Sequence, residues 1–262
     1  MLKKLKTILV IYIFVSFNSL YADKLVDIKK QGVLKAGVKY DFKPFGFINK
    51  SGSIVGFDVD IIRYIGKKLG VRVKFEQVTS KNRIPMIVTG EIDIAAASMT
   101  HKRSRDDVID FSVSYFFDGQ AMLVGKKEKA TSYEGFGERK VGAIQGATSG
   151  ENFKKLQPKA KIIYFQEYPQ AVLALKNGKI DAITTDFVWC MTQADDSKGK
   201  LKVLSQTLSY EPYAIGIGEN ESNFRDFVNS AIQDSVLDGT YEKLYFKWFG
   251  KEPEKLPEVW PK

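Results

Sequence analysis

Two consecutive series of alternating strand and helix patterns constrain the fold of this chain most strongly. In the first series, residues 33–38 and 71–78 have strand patterns, and residues 94–97 form a short apolar run. A predicted helix lies between the first two strands; Asp58 can cap it, and it ends at Gly70. Strands and helices that alternate through short loops are typical of parallel α/β layers, so the sequence predicts the α/β class.

A second α/β series follows a polar stretch at residues 126–140. Its strand patterns lie at residues 141–144, 162–165, 181–185 and 213–217, and its helix patterns at residues 168–176 and 222–237. Because the polar stretch separates two series that each contain strands and helices, we predict two lobes. Ser222 is in a position to cap the last helix.

The first 22 residues have the pattern of a secretory signal peptide. Three lysines form a basic start, and a largely apolar run of ten residues follows at positions 8–17. That run is shorter than the ~20 residues that a helix needs to span a bilayer. We therefore predict cleavage near Ala22 and export of the protein.

The charge and the rare residue types exclude several kinds of chemistry. The chain has 262 residues and a formal charge of +9, of which the three leader lysines account for three and leave +6. These charges are scattered and no nucleic-acid motif accompanies them, so we predict no nucleic-acid partner. Cys190 and His101 are the only residues of their types. An intrachain disulfide and a Cys/His metal cluster are therefore excluded, and we predict neither a metal nor a cofactor.

Polar and basic residues follow the apolar run at residues 94–97. Ser98 and Thr100 stand at its carboxyl end, and Arg105 comes five residues after Thr100. Small ligands of open α/β sheets bind outside the carboxyl ends of the strands. A guanidinium matches a carboxylate in a bidentate way, so this stretch is suited to hold a carboxylate. The alternative is a basic helix start that is exposed to water.

The same stretch resembles the signature of the periplasmic amino-acid-binding proteins, which are the solute receptors of ABC importers. Met-Thr-x-x-x-x-Arg at residues 99–105 is followed by Val-Ile-Asp-Phe-Ser. By this resemblance, Thr100 and Arg105 bind the α-carboxylate of an amino acid. The family usually has Pro-Glu before its Arg, whereas Arg103 and Ser104 stand there in this chain.

The resemblance implies a fold that is periplasmic-binding-protein-like type II, with two α/β lobes joined by two hinge strands. We expect the crossings near residues 123–127 and 212–216. Lobe 1 then comprises residues 23–125 and 216–262, and lobe 2 comprises residues 126–215. We expect a periplasmic monomer that delivers an amino acid to a membrane ABC permease.

Two residues of the second series are similar to ligand-binding residues of the family. Asp186 follows the strand at residues 181–185, where the family has an Asp that binds the amine of the ligand. Gly-Ala-Thr-Ser at residues 146–149 resembles the family loop from which a backbone N–H and a hydroxyl contact the carboxylate, so Thr148 is a candidate. The alternatives are a helix N-cap at Asp186 and a simple capping turn at Thr148.

The predicted side-chain pocket is basic. Ser-Lys-Asn-Arg-Ile-Pro at residues 80–85 resembles the acidic-amino-acid branch of the family, in which the Arg binds the side-chain carboxylate. The residues assigned to this pocket are Ser80, Arg83, Lys39 as a second cation, and Phe42 and Tyr168 as walls. Two cations disfavour a cationic ligand, so glutamate or aspartate is the predicted ligand. The alternatives are a solvated Lys39 and a Phe42 that belongs to the core.

Other functions are compatible with the same pattern. One alternative is a binding protein for another polar amino acid, and a second is a sensory module that docks to a receptor. A third is a periplasmic enzyme on the same scaffold, such as a cyclohexadienyl dehydratase. Asp186 argues against this enzyme, because a cyclic carboxylate substrate need not offer an ammonium. We therefore predict a binding protein that is not an enzyme.

Overall fold

The computed structural model describes residues 23–204, 207–253 and 256. The predicted signal peptide at residues 1–22 lies outside them. Within the described ranges, no helix has the length and apolar character that crossing a membrane requires.

Most of the described strands form one mixed sheet. Its strands are β1 (Val33–Val38), β5 (Arg72–Gln77), β6 (Ile94–Ala95), β7 (Asp110–Gly125), β8 (Lys140–Ile144), β9 (Lys161–Phe165), β10 (Ala182–Asp186), β11 (Leu201–Val203) and β12 (Tyr210–Ile217). A small antiparallel sheet consists of β2 (Asp41–Phe42), β3 (Gly46–Ile48) and β4 (Ile54–Val55). The order in the main sheet is β5-β1-β6-β12-β7-β10-β8-β9, and β11 pairs with β7.

The strand directions divide the main sheet into two parallel groups. β1 is parallel to β5 and β6, and β8 is parallel to β9 and β10. β7 and β12 lie between these groups, and each runs antiparallel to its neighbours. We call the group with β1 lobe 1 and the group with β8 lobe 2. The predicted α/β class and the type II arrangement, two lobes joined by two strands, are confirmed.

The helices connect these strands and cover the sheet. They are α1 (Lys24–Gln31), α2 (Phe57–Leu69), α3 (Arg83–Val88), α4 (Arg103–Asp106), α5 (Ser149–Leu156), α6 (Tyr168–Lys176), α7 (Phe187–Asp196), α8 (Ser222–Leu237) and α9 (Thr240–Phe249), with a 3-10 helix at Tyr133–Phe136. In lobe 1, α2 packs on β1 and β5, and in lobe 2, α5 and α6 pack on β8 and β10. Each lobe is therefore a layered α/β unit.

Two predicted helix caps are wrong. Asp58 lies inside the first turn of α2, where its buried carboxylate accepts hydrogen bonds from the Ser98 backbone N–H at 2.9 Å and the Tyr115 hydroxyl at 2.7 Å. It therefore joins α2 to the loop after β6 and to β7. Ser222 is the first residue of α8 itself, and Glu221 occupies the cap position without a side-chain hydrogen bond.

β7 passes from lobe 1 to lobe 2. Up to Gly119 it pairs with β12, and from Gln120 onward it pairs with β10. This change of partner precedes the expected crossing at residues 123–127. The lobe boundaries at residues 125/126 and 215/216 stay a prediction.

The chain returns to lobe 1 after β12. The ring of Phe249 in α9 lies 5.1 Å from the rings of both Phe57 in α2 and Phe116 in β7, measured between centroids. Aromatic pairs at this separation add to the stability that burial provides. The last helix is thereby packed into the core of lobe 1, so both ends of the described chain belong to the same lobe.

Candidate functional site

Arg83 is the first residue of α3 in lobe 1. Its side chain is only 2% exposed, and its Nη1 donates hydrogen bonds to the carbonyl oxygens of Ala97 at 2.5 Å and Ser98 at 3.2 Å. Ser98 has a positive φ of 48°, which turns the chain just after β6. Burial lowers the pKa of Arg83. The Arg83 Nε has no hydrogen-bond partner in the described residues.

Lys39 lies next to Arg83, at the carboxyl end of β1. It is 2% exposed, so the alternative of a solvated lysine is wrong. Its Nζ lies 3.8 Å from the centroid of the Phe42 ring and 5.0 Å from that of Tyr168. Burial and the nearby charge of Arg83 lower the pKa of Lys39 to about 7. Near pH 7, Lys39 is therefore a buried amine that is partly protonated and partly neutral.

Three aromatic side chains form the wall beside Lys39. Phe42 is fully buried, and its ring centroid lies 4.6 Å from that of Tyr168 and 5.9 Å from that of Trp189. Phe42 and Tyr168 come from different lobes, so this wall is complete only when the lobes are in contact. Phe42 thus belongs to the core and also contacts Lys39, so its interpretation as a core residue is compatible with the predicted position beside the pocket.

Asp186 supplies a negative charge from lobe 2. It stands at the cap position of α7, but its side chain makes no capping hydrogen bond, so the capping role is wrong. The Thr185 hydroxyl donates to its carboxylate at 3.1 Å. The charge of Asp186 raises the pKa values of Lys39, Arg83 and Arg105, which otherwise fall through burial. The structure therefore brings the three predicted cations and the predicted acid into one electrostatic neighbourhood.

Arg105 lies in the short helix α4, close enough to Arg83 for the two charges to interact. Its Nη1 donates to the carbonyl oxygen of Thr100 at 2.6 Å in lobe 1, and its Nη2 donates to that of Gly146 at 3.0 Å in lobe 2. It is 8% exposed, whereas Arg103 is exposed, so the alternative of a solvated basic helix start is wrong for Arg105. Burial, together with the charge of Arg83, lowers the pKa of Arg105 to about 9.

The hydroxyls of Thr100 and Thr148 both donate to the carboxylate of Glu211, at 2.6 Å and 3.1 Å. Sequence reasoning missed Glu211, which stands at the start of β12. Thr148 occupies the cap position of α5 without a side-chain capping bond, so the simple capping turn is also wrong. A charged residue within a strand that is otherwise buried was the available signal, because buried carboxylates are rare unless they are paired.

Sequence reasoning also missed Asp118, a buried residue of β7. Its carboxylate accepts hydrogen bonds from the backbone N–H groups of Gly119 at 2.8 Å and Val188 at 3.3 Å, and from the Tyr213 hydroxyl at 3.2 Å. Burial and the nearby charge of Asp186 raise the pKa of Asp118 to about 8. An Asp-Gly pair inside a long apolar strand was the signal, and it marks the place where β7 changes lobes.

The lobes touch each other in this conformation. A Cβ atom at Gly146 in lobe 2 would lie 2.4 Å from the carbonyl oxygen of Ser80 in lobe 1. The backbone N–H of Tyr168 donates to Asp41 at 3.1 Å, and Lys43 pairs with Asp196 at 3.0 Å. The space between Lys39, Ser80 and Tyr168 has a volume of only about 10 Å³. The lobes are therefore closed against each other in this conformation.

Unpartnered buried polar atoms accompany these charges. In the described part of the chain they are Ser80 Oγ, Arg83 Nε, Ser149 Oγ and Trp189 Nε1. Buried polar groups without a hydrogen-bond partner are uncommon and each calls for an explanation. Ser80 lines the small space beside Lys39, Arg83 is close enough for its charge to lower the pKa of Lys39, and Trp189 stacks on Phe42. Ser80 and Arg83 thus leave donors unpaired near Lys39, and Ser149 leaves one beside Thr148.

Two α/β lobes that close over a set of buried charges define a binding protein of the two-lobed class. A family model described as bacterial extracellular solute-binding proteins, family 3, matches residues 34–251. The chain belongs to this family, and the resemblance to amino-acid-binding proteins of ABC importers is confirmed, whereas the acidic-amino-acid branch stays a prediction.

The chain is similar to several known members and structures of this kind. It is 37% identical over 236 residues to the ABC transporter glutamine-binding protein GlnH of Bacillus subtilis, which covers 88% of this chain and 86% of that protein. It is 39% identical over 207 residues to the glutamine-binding protein of Geobacillus stearothermophilus, with 76% and 78% coverage. An ancestral arginine-binding protein bound to glutamine has a TM-score of 0.81 and 36% identity, over 84% of this chain and 99% of that one.

Proposed function

We propose that this protein is a periplasmic receptor that captures a free amino acid and delivers it to an ABC permease. The observation that carries the proposal is the set of buried charges in one closed cleft. Arg105 faces the end where an α-carboxylate would lie, and Asp186 offers a counter-charge for an α-ammonium. Burying an ion costs on the order of several kcal/mol unless an opposite charge compensates it. A zwitterion supplies both partners at once.

The ligand that fits the Lys39 end of the cleft best is glutamate or aspartate. Lys39 and Arg83 are both buried there; burial lowers the pKa of each, and the charge of Arg83 lowers that of Lys39 further. A side-chain carboxylate would accept hydrogen bonds from Lys39 Nζ and from the unpartnered Arg83 Nε. It would also neutralise the repulsion between the two cations, so an acidic ligand stabilises the closed form more than a cationic one.

Glutamine is the second candidate. The two relatives described above are named as glutamine-binding proteins and are 37% and 39% identical to this chain. The pKa of Lys39, about 7, also leaves a neutral amine accessible at mildly alkaline pH. An amide offers an acceptor oxygen to Arg83 and a donor group to a neutral Lys39. Glutamate therefore requires a protonated Lys39, whereas glutamine can bind to the neutral amine.

Isothermal titration with a panel of amino acids at pH 6 and pH 8 tests the proposal. We expect glutamate or aspartate to bind most tightly at pH 6, where Lys39 is protonated. Glutamine that binds more tightly at both pH values would replace the acidic ligand by the second candidate. No binding of any amino acid in the panel, by a protein that is folded, would refute the receptor.

We further propose that the protein has no enzymatic activity and acts as a monomer. The relatives named above are binding proteins, and an acid such as Asp186 serves an ammonium rather than a cyclic carboxylate substrate. Incubation with prephenate, followed by measurement of phenylpyruvate, checks the enzymatic alternative. Formation of phenylpyruvate above the uncatalysed rate would establish the dehydratase instead.

Closure is the step that conveys binding to the permease. The ligand first contacts one lobe, and contact with the second lobe then completes the charge pairs and the aromatic wall. Because the ligand bonds fully only to the closed form, it shifts the population toward that form. At a concentration of ~100 times its Kd, the ligand should add about 2.7 kcal/mol to the free energy of unfolding.

A further inference from the structure

The carboxylate of Glu211 is the meeting point of four side-chain donors. Thr100 and Thr148 donate to Oε2 at 2.6 Å and 3.1 Å, and Asn152 and Ser209 donate to Oε1 at 3.0 Å and 2.5 Å. Glu211 is 3% exposed. A buried carboxylate needs this many hydrogen bonds, because burial removes it from water and no cation lies within ion-pair distance among the described residues.

These donors come from lobe 1, from lobe 2 and, in the case of Ser209, from the segment just before β12. Thr100 follows β6 in lobe 1, and its backbone also pairs with Tyr213 of β12. Thr148 and Asn152 belong to the start of α5 in lobe 2. Glu211 itself lies on β12, one of the two strands between the lobes. Its carboxylate therefore joins lobe 1 to lobe 2 through an element that belongs to the hinge.

The same two segments also hold Arg105. The Arg105 guanidinium bonds to the carbonyl oxygen of Thr100 in lobe 1 and to that of Gly146, two residues before Thr148, in lobe 2. Glu211 and Arg105 thus fix the same pair of segments, one through hydroxyl side chains and the other through backbone carbonyls. Displacing either segment would disturb both sets of bonds together.

The hydrogen bonds to Glu211 also decide what the two hydroxyls can offer to a ligand. A hydroxyl has one hydrogen to donate and two lone pairs to accept with. Since Thr100 and Thr148 both donate to Glu211, their oxygens present only lone pairs elsewhere. In the closed form they therefore accept hydrogen bonds rather than donate them to a carboxylate.

We propose that Glu211 is a positioning residue that couples lobe closure to amino-acid binding. It holds the Thr100 and Thr148 segments in register around Arg105 only when the lobes are closed, and it orients both hydroxyls without contacting the ligand. This inference rests on the proposed amino-acid-binding function. It assigns the hinge strand β12 an active part in recognition, beyond connecting the lobes.

Glu211→Gln is the direct test, because it keeps the shape but replaces one acceptor oxygen by a donor group. The Thr100 and Thr148 hydroxyls can then bond to the amide nitrogen only as acceptors, so both must reverse their hydrogen bonds, and the bonds that join the lobes lose the added strength of a charged acceptor. We expect every amino acid that the wild type binds to bind at least about tenfold more weakly, with a faster dissociation rate, because the weakened bonds are specific to the closed form. The matched control is Glu219→Gln, the same change at an exposed residue beyond β12, which should bind like the wild type.

The distance between spin labels on the two lobes supplies a readout that a merely structural role would not move. Glu211→Gln should have a lower closed fraction than the wild type at equal ligand occupancy, while its ligand-free melting temperature stays close to that of the wild type. Unchanged affinity and an unchanged closed fraction would overturn the proposal. If Glu211→Gln does not fold, Thr148→Val removes one of the two lobe 2 donors to Glu211 and carries the same expectation.

The outcome separates this inference from the proposed function. If the wild type binds no amino acid, the proposed receptor function is refuted. The role of Glu211 in closure is then tested on the ligand-free proteins, and equal closed fractions in the wild type and Glu211→Gln would overturn that role. A wild type that binds, beside a variant that binds equally well, refutes the role of Glu211 alone.

Discussion

Arg105 and Arg83 are both buried, and they bond to carbonyl oxygens only two residues apart, Thr100 and Ser98, but the protein satisfies them differently. Arg105 bonds to carbonyl oxygens from both lobes, Thr100 on one side and Gly146 on the other. Arg83 bonds only within lobe 1, its Nε is unpartnered, and the neighbouring Lys39 contacts aromatic rings rather than oxygens in the described residues.

This difference indicates how the cleft divides its work. The Arg105 end is a frame that forms from both lobes on closure, and it suits the α-carboxylate that all amino acids share. At the Lys39 end, hydrogen-bond donors of Ser80 and Arg83 are unpaired, which is costly in a buried site. A ligand that satisfies those donors gains free energy that its competitors do not. The first end should therefore set affinity, and the second should set specificity.

The largest effect should come from removing the charge at the Arg105 end. Arg105→Ala should weaken the binding of every amino acid by about 100-fold or more, because losing one partner of a buried charge pair costs roughly 2–5 kcal/mol. Titration with glutamate, glutamine and aspartate measures the loss. Arg103→Ala, which changes the exposed neighbour in α4, is the control and should leave all three affinities unchanged. A loss confined to one ligand would show that Arg105 reads the side chain.

The next effect should separate the two ends. Arg83→Met should weaken glutamate by about 30-fold or more and glutamine by less than about fivefold, since only the acid loses a charge partner. The ratio of the two dissociation constants is the quantity to measure, and it does not depend on the fraction of active protein. Arg72→Met, at an exposed position of β5, serves as the control. Equal losses for both ligands would contradict the assignment of Arg83 to the side chain.

A smaller effect should appear when pH alone is changed. Because the pKa of Lys39 is lowered to about 7, the ligand-free protein loses this charge above pH 7, and glutamate must restore it on binding. The Kd for glutamate should rise by up to about tenfold per pH unit above 7, with uptake of one proton. Titrations at pH 8 in two buffers with different ionisation enthalpies measure that uptake.

Glutamine is the internal control for this pH dependence. Its amide carries no charge, so its Kd should stay nearly constant over the same range. Lys39→Met should abolish the pH dependence of glutamate binding as well. A Kd for glutamine that rises as steeply as that for glutamate would attribute the effect to another group.

The smallest effect should come from the exposed contact between the lobes. Lys43 and Asp196 form an ion pair at 3.0 Å, but both side chains are about half exposed. Exposed ion pairs contribute about 0–1 kcal/mol, so Asp196→Asn should change amino-acid affinity by less than about fivefold. The same titrations measure this change at low and high salt. A loss as large as that of Arg105→Ala would mean that surface charge, rather than the buried frame, holds the lobes together.

The sequence predicted the elements that repeat locally. The alternation of strand and helix in two series led to two α/β lobes, and the polar residues after the strand at residues 94–97 led to Thr100 and Arg105. Both signals are short-range, since a strand end and the loop behind it are adjacent in the chain. The resemblance to the family added Lys39, Arg83 and Asp186, whose charges act on one another in the structure.

The sequence did not predict the contacts between distant segments. Asp58 has the position of a helix cap, but its carboxylate bonds to Ser98 and Tyr115, 40 and 57 residues away. Glu211 lies 111 residues from Thr100, and nothing in the chain around it indicates that partner. Local propensity favours acids near helix starts and exposed acids elsewhere, so a buried acid that joins two lobes contradicts the local pattern.

Gly146 limits how the receptor can vary. The backbone of Gly146 has a φ of 81° and approaches the Ser80 carbonyl so closely that even one methyl group would collide with it. A larger residue would hold the Gly146 and Ser80 segments apart and so prevent the lobes from closing fully. Such a protein would retain each charged group but would not reach the closed form. The absence of a side chain at Gly146 is thus a condition for full contact between the lobes.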